Sequence, residues 1–184
     1  MFMWGLAAAV PIGFGLAAFA APRVVEYVET IGIKGSLRDV YDAIRFQERL
    51  MEWSAWPSET GSACAAEGED GNIGARTVFT DKKGKPFGYQ EVTALEEAEK
   101  VSFVLESKGP PHKPKLHFHL TQIDSETVRV LLHFRNDITP PFNLIQRLAG
   151  ITKWTRQMHL KDLDGLKRYV EVGETYTGEP ATAV

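Results

Sequence analysis

The sequence predicts an α+β fold in which a curved antiparallel sheet wraps one long C-terminal helix. Two observations carry this. Between Pro140 and Val170, apolar residues recur at Leu144, Ile145, Leu148, Ile151, Met158, Leu163, Leu166, Tyr169 and Val170, in steps that mostly fall on three or four, the period of a helix with one buried face. Gln146, Arg147, Lys153, Arg156, Lys161, Asp162 and Lys167 fill its polar side. From Val24 to Asn136 the chain is instead mostly short β-branched and aromatic runs separated by turn residues, which is strand composition.

In order, Val24, Val25, Tyr27, Val28, Ile31 and Ile33 mark a first strand. Gly35-Ser36 closes it, and Ser36 is placed to cap a helix with Asp39 in its first turn and Leu37, Val40, Tyr41 and Ile44 as its buried stripe. A second short helix, Phe46 to Glu52, ends in Trp53-Ser54-Ala55-Trp56-Pro57. Ser58 to Asn72, small and acidic, reads as an irregular edge strand or a loop. Five strands follow, Ala75–Thr80, Phe87–Leu95, Lys100–Glu106, Lys115–Ile123 and Thr127–Arg135. Turns at Asp81-Lys82-Lys83-Gly84-Lys85, Glu96–Glu99 and Asp124-Ser125-Glu126 make successive strands antiparallel. Pro140 and Pro141 suit the first turn of the last helix.

The 184 residues, 43% hydrophobic with a formal charge of -3, fit one globular domain (23–172) between a leader (1–22) and a flexible tail (173–184). Near-neutral charge argues against nucleic acid as a partner. Cys64, the only cysteine, excludes an internal disulfide and a cysteine-clustered zinc site. Met1 to Ala21 carries no charged side chain; as a helix it measures about 31 Å, enough to cross a bilayer as an anchor. A signal peptide cut after Ala18-Phe19-Ala20 is the competing reading, but it lacks a basic n-region. Arg23, Lys34 and Arg38 flank only the C-terminal end, which puts the domain on the cytoplasmic side, or in the periplasm if the leader is cleaved. Gly5, Ala9, Gly13 and Ala17 recur every four residues and would give that helix a smooth face for another transmembrane subunit.

The strand Val24 to Ile33, the run Gly35-Ser36-Leu37-Arg38-Asp39-Val40-Tyr41-Asp42-Ala43-Ile44, then Trp53-Ser54-Ala55-Trp56, Gly74-Ala75-Arg76, Thr127-Val128 and Asp162-Leu163-Asp164-Gly165-Leu166-Lys167 resemble the START-like, or SRPBCC, superfamily, in its polyketide cyclase/dehydrase and lipid transport group. Ala55 stands where many relatives have proline. The resemblance implies the helix-grip fold and a cavity between sheet and helix that holds hydrophobic small molecules; no cofactor is expected.

Residue alternation gives the same picture independently, turning Phe103 and Leu105, then Leu116, Phe118 and Leu120, then Val130, Leu132 and Phe134 toward the helix. Trp53, Trp56, Phe79, Tyr89, Leu148, Trp154 and Met158 complete the expected cavity lining. Glu91, read as sharing a face with Thr77, Phe79, Phe87 and Tyr89, is a candidate general acid or base if it lies inside. His117, His119 and His133 point outward on this reading, and no metal site is expected. Lys82, Lys83, Lys85, Lys108, Lys113 and Lys115, with His112, fall at the sheet end where the first strand begins, and would face anionic lipid. Three functions follow as expectations: binding of a lipid, isoprenoid or quinone at the bilayer; an accessory subunit of an integral-membrane complex; or a cyclase/dehydrase-type enzyme.

Overall fold

The computed structural model describes residues 18–109 and 112–178. Seven strands form a single antiparallel sheet in the order β1-β7-β6-β5-β4-β3-β2. They are β1 (Val24–Lys34), β2 (Ala63–Glu67), β3 (Arg76–Thr80), β4 (Pro86–Glu96), β5 (Lys100–Ser107), β6 (Lys115–Gln122) and β7 (Thr127–Asp137). The first strand pairs with the last from Val24↔Asp137 to Lys34↔Thr127, while β2 to β7 follow one another as hairpins. Helices α1 (Leu37–Arg45), α2 (Gln47–Trp53) and α3 (Trp56–Thr60) connect β1 to β2; α4 (Phe142–Leu148) and α5 (Ile151–Val172) follow β7.

Local chemistry explains the boundaries. Ser36 Oγ accepts from the Asp39 N–H at 3.0 Å and starts α1. Phe46, in an extended conformation, separates α1 from α2. Helix α2 has no cap of its own; the Asp70 carboxylate accepts from the Gln47 N–H at 2.6 Å and the Glu48 N–H at 3.3 Å, a remote cap that also pins the turn before β3. The acidic stretch 58–72 therefore holds the end of α3, the short edge strand β2 and this capping turn.

The C-terminal amphipath is two helices rather than one continuous helix from Pro140. The Pro140-Pro141 peptide is cis and α4 starts at Phe142. Gly150, at φ +68°, then takes the left-handed conformation that glycine adopts at little cost, and the chain turns into α5. The tail is described up to Gly178. The Tyr176 N–H donates to the Glu52 carbonyl at 2.8 Å and its hydroxyl to Glu59 at 2.9 Å, holding it against α2 and α3.

Helix α5 packs on β1, where Arg156 pairs with Glu29 and the Lys167 ammonium donates to the Gly32 carbonyl at 2.9 Å. Gly165 allows close approach to α2: a Cβ there would lie 2.2 Å from the Trp53 carbonyl oxygen. The apolar core, including Ile33, Val40, Ile44, Val92, Phe103, Leu120, Leu132 and Leu166, lies under α1 and α2, each large side chain contributing about 1.5–3 kcal/mol by leaving water. At the other half of the sheet the layers separate.

No helix among the described residues is long and apolar enough to cross a membrane. The expected anchor, with Gly5, Ala9, Gly13 and Ala17, lies outside the described residues apart from its end, where residues 18–20 are helical.

Candidate functional site: an apolar cavity with a polar floor

The separation leaves a cavity of about 520 Å³, within the ~300–1,000 Å³ typical of small-molecule sites. Eight of the residues expected to line it do border it: Trp53, Trp56, Phe79, Tyr89, Leu105, Leu116, Phe118 and Trp154. Trp53 donates its indole N–H to the Ala43 carbonyl at 2.8 Å, and its ring meets Phe118 edge-on at 6.4 Å. Trp56 and Trp154 meet edge-on at 5.2 Å, in the geometry that aromatic quadrupoles favour. Phe79 stacks on Phe87 at 6.2 Å.

The other expected lining residues lie elsewhere, for reasons of position along each strand or helix. Phe103, Leu120 and Leu132 fill the core instead, although Phe103 pairs with Leu116 and Leu132 with Phe118 across the sheet. Phe134 borders a second, smaller cavity of about 140 Å³, and Met158 is buried away from both. Leu148, on α4, is 73% exposed because the break at Gly150 carries α4 off the sheet.

Glu91 is not inside. A register shift after Phe79 pairs Phe79 with Gly88 and Thr77 with Gln90, so Gln90 and Val92 face inward and Glu91 faces out. There Glu91 pairs with Arg76 at 2.6 Å, and the Arg76 guanidinium lies 4.5 Å from the centre of the Tyr89 ring. Tyr89 borders the cavity with its hydroxyl committed to Glu106 at 2.8 Å. Thr77 is fully buried and donates to Gln47 Oε1 at 3.0 Å. Gln90 is the inward polar residue of β4, and its amide bonds to no other described side chain.

The floor of the cavity comes from Asp162, which the period count puts on the polar side of the helix, and from His159, which it assigns to neither side. Asp162, on α5, accepts from the Ala55 N–H at 2.7 Å, the Ser54 hydroxyl at 3.0 Å and the Trp56 indole N–H at 2.9 Å. Burial pushes its pKa up to about 7 despite these three donors. His159, one turn earlier, is 1% exposed, and its Nδ1 lies 2.9 Å from the Tyr27 hydroxyl. Burial lowers its pKa to about 4, so the ring is neutral. At the rim, His112 Nε2 accepts from the Gln146 amide at 2.9 Å.

On the outer face His117 opposes His133, as the hairpin reading requires, with ring centres 5.8 Å apart. His133 Nε2 lies 2.7 Å from the Glu26 carboxylate, which the first strand supplies. No cluster suited to a metal ion is found among the described residues. Lys82, Lys83, Lys85, Lys108, Lys113 and Lys115 lie at the expected sheet end, since the β3–β4 and β5–β6 turns and the start of β1 share it. Lys113 is tied to Glu106 at 2.6 Å, which offsets part of that positive charge.

No family model and no curated protein sequence matches the chain. Solved structures do match. A truncated norcoclaurine synthase from Thalictrum flavum superposes with a TM-score of 0.60 at 12% identity, over 80% of this chain and 93% of that one. The di-domain ARO/CYC StfQ of the steffimycin biosynthetic pathway gives 0.59 at 15% identity, over 80% and 51%. CV1439 from Chromobacterium violaceum gives 0.57 at 16% identity, over 82% and 99%. This is the helix-grip fold. In this helix-grip domain the last helix grips the sheet along β1, and the cavity opens where α5 begins. The sequence missed His159 and Asp162 because their polarity outweighed their positions, three residues apart and interleaved with the buried Met158, Leu163 and Leu166.

Proposed function

We propose that this helix-grip domain binds a hydrophobic small molecule, a lipid, isoprenoid or quinone, at a membrane surface and does not transform it. The observation that carries the proposal is the cavity itself, walled by Trp53, Trp56, Phe79, Leu105, Phe118 and Trp154. Its two buried ionisable groups support binding over catalysis. Asp162 has its carboxylate committed to three donors and His159 has one nitrogen committed to Tyr27, which leaves no carboxylate poised as a base.

Three features support the membrane part of the proposal. The leader Met1 to Ala21 is uncharged, and its described end is held to the domain by Asn143 on α4, whose amide donates to the carbonyls of Ala18 at 2.7 Å and Ala21 at 3.0 Å. Beside that contact, Ile145, Leu148, Ile151 and Trp154 are exposed across the α4–α5 elbow, an apolar surface of the kind that meets lipid or a partner. Trp154 also borders the cavity, and the lysine-bearing turns lie at the same end of the sheet. Anionic lipid attracts such lysines by about 1 kcal/mol each.

Native mass spectrometry of the full chain extracted in detergent tests the proposal. A lipid-sized adduct is expected. Its absence from delipidated and relipidated samples alike would overturn the reading.

A further inference from the structure

Tyr27 and His159 together fix the hydrogen-bonding character that the cavity presents to its contents. The Tyr27 hydroxyl lies 2.9 Å from His159 Nδ1, and among the described residues it bonds to no other acceptor. Were the ring proton on Nδ1, the phenol would accept that bond and its own proton would have no acceptor among the described residues, beside Phe134 and the imidazole. The arrangement favours the phenol as donor to Nδ1, with the proton of the neutral ring on Nε2. Nε2 bonds to no described residue, and His159 borders the cavity while being 1% exposed overall.

We infer that His159 Nε2–H is the polar anchor of the cavity and that its ligand is a neutral, mostly apolar molecule with an acceptor oxygen of the ketone, quinone or ester type. This inference rests on the reading of the cavity as a site for a hydrophobic molecule. A donor without an acceptor selects an acceptor, and its desolvation is offset only by a ligand that supplies one. An anionic head is disfavoured because the Asp162 carboxyl borders the same cavity with its three donors already committed, and Lys82, the lysine that borders it, belongs to the β3–β4 turn. Gln90, with both a donor and an acceptor in its amide, does not discriminate between ligand classes.

Isothermal titration of the full chain with 2-acetylnaphthalene and 2-ethylnaphthalene tests this, since the two share size and skeleton and only the first carries an acceptor oxygen. The decisive quantity is the ratio of their Kd values in the wild type against that in His159→Leu. The variant is expected to shift the ratio about five- to tenfold against the ketone, the scale of one net hydrogen bond, with the hydrocarbon changed less than about twofold. An unchanged ratio overturns the inference and leaves the cavity reading standing, whereas failure of both probes to bind overturns the cavity reading and the inference with it. Tighter binding of 2-naphthoate than of the ketone would overturn the neutral class. Should His159→Leu not fold, Tyr27→Phe is expected to shift the same ratio about two- to threefold by freeing the tautomer. Imidazole nitrogen NMR of the wild type, with no substitution, is expected to show the proton on Nε2; a proton on Nδ1 overturns the inference directly.

Discussion

The Tyr27 hydroxyl sits 2.9 Å from His159 Nδ1, a hydrogen bond that joins the first strand to the last long helix across 132 residues of chain. Phe134 stacks on Tyr27 at 4.9 Å and lies 5.1 Å from His159, so the pair is enclosed by an aromatic neighbour from β7. Tyr27→Phe keeps the ring and removes the bond. It is expected to cost about 1 kcal/mol, seen as a lower urea midpoint with unchanged slope, or a melting temperature reduced by about 2–4 °C.

His159 and Asp162 shift in opposite directions, and their effects on stability oppose. The imidazole titrates near 6.5 when unfolded and about 4 when folded, so between those values the unfolded chain holds the extra proton and stability rises with pH. The carboxyl moves from 3.8 to about 7, so there the native state holds the extra proton and stability falls as pH rises. In the wild type the two slopes cancel from about pH 4 to 6.5. Single variants uncover them: Asp162→Asn is expected to gain stability as pH rises through that window, and His159→Leu to lose it up to about pH 7. Each slope is at most about 1.4 kcal/mol per pH unit. Urea unfolding free energies across the window read both, and slopes of the same sign in the two variants would refute the assignment.

The architecture was largely legible in the residues, and the misses have local causes. Inward alternation on β6 and β7 reads directly because Leu116, Phe118, Leu120, Val130, Leu132 and Phe134 are all apolar and their hairpin turn is short. The break at Gly150 is invisible to a period count, since Leu148 and Ile151 keep a spacing of three across it. The Glu91 assignment failed by one residue because Phe87 falls in the register shift between β3 and β4, where alternation no longer reports facing. The cavity floor was hidden differently. His159 and Asp162 occupy the buried side of α5 beside Met158, Leu163 and Leu166, and a polar residue among stripe positions was itself the signal.

Gly165 sets how near α5 can come to the end of α2, and with it where Trp53 stands in the cavity wall. An added Cβ would meet the Trp53 carbonyl oxygen at 2.2 Å and Tyr176 Cδ2 at 3.2 Å, and the first of these is backbone, which yields poorly. Gly165→Ala is therefore expected to destabilise by about 1–3 kcal/mol although alanine favours helix. Thermal unfolding followed by circular dichroism measures this, and a stabilised variant would show that the helices have room to separate.

Gln90 and Glu91 are neighbours in sequence on opposite faces of β4, which gives a sharp test of the register. Glu91→Gln removes the ion pair to a half-exposed Arg76, a loss of about 0–1 kcal/mol, and is expected to leave the binding of 2-ethylnaphthalene unchanged. Gln90→Leu replaces an amide that is 7% exposed and borders the cavity with an apolar side chain of similar size. Polar groups in an apolar wall penalise a hydrocarbon that cannot satisfy them, so this variant is expected to bind 2-ethylnaphthalene about two- to fivefold more tightly by calorimetric titration. The reverse pattern, with Glu91→Gln altering affinity and Gln90→Leu silent, would move the strand by one residue and return the carboxylate to the interior.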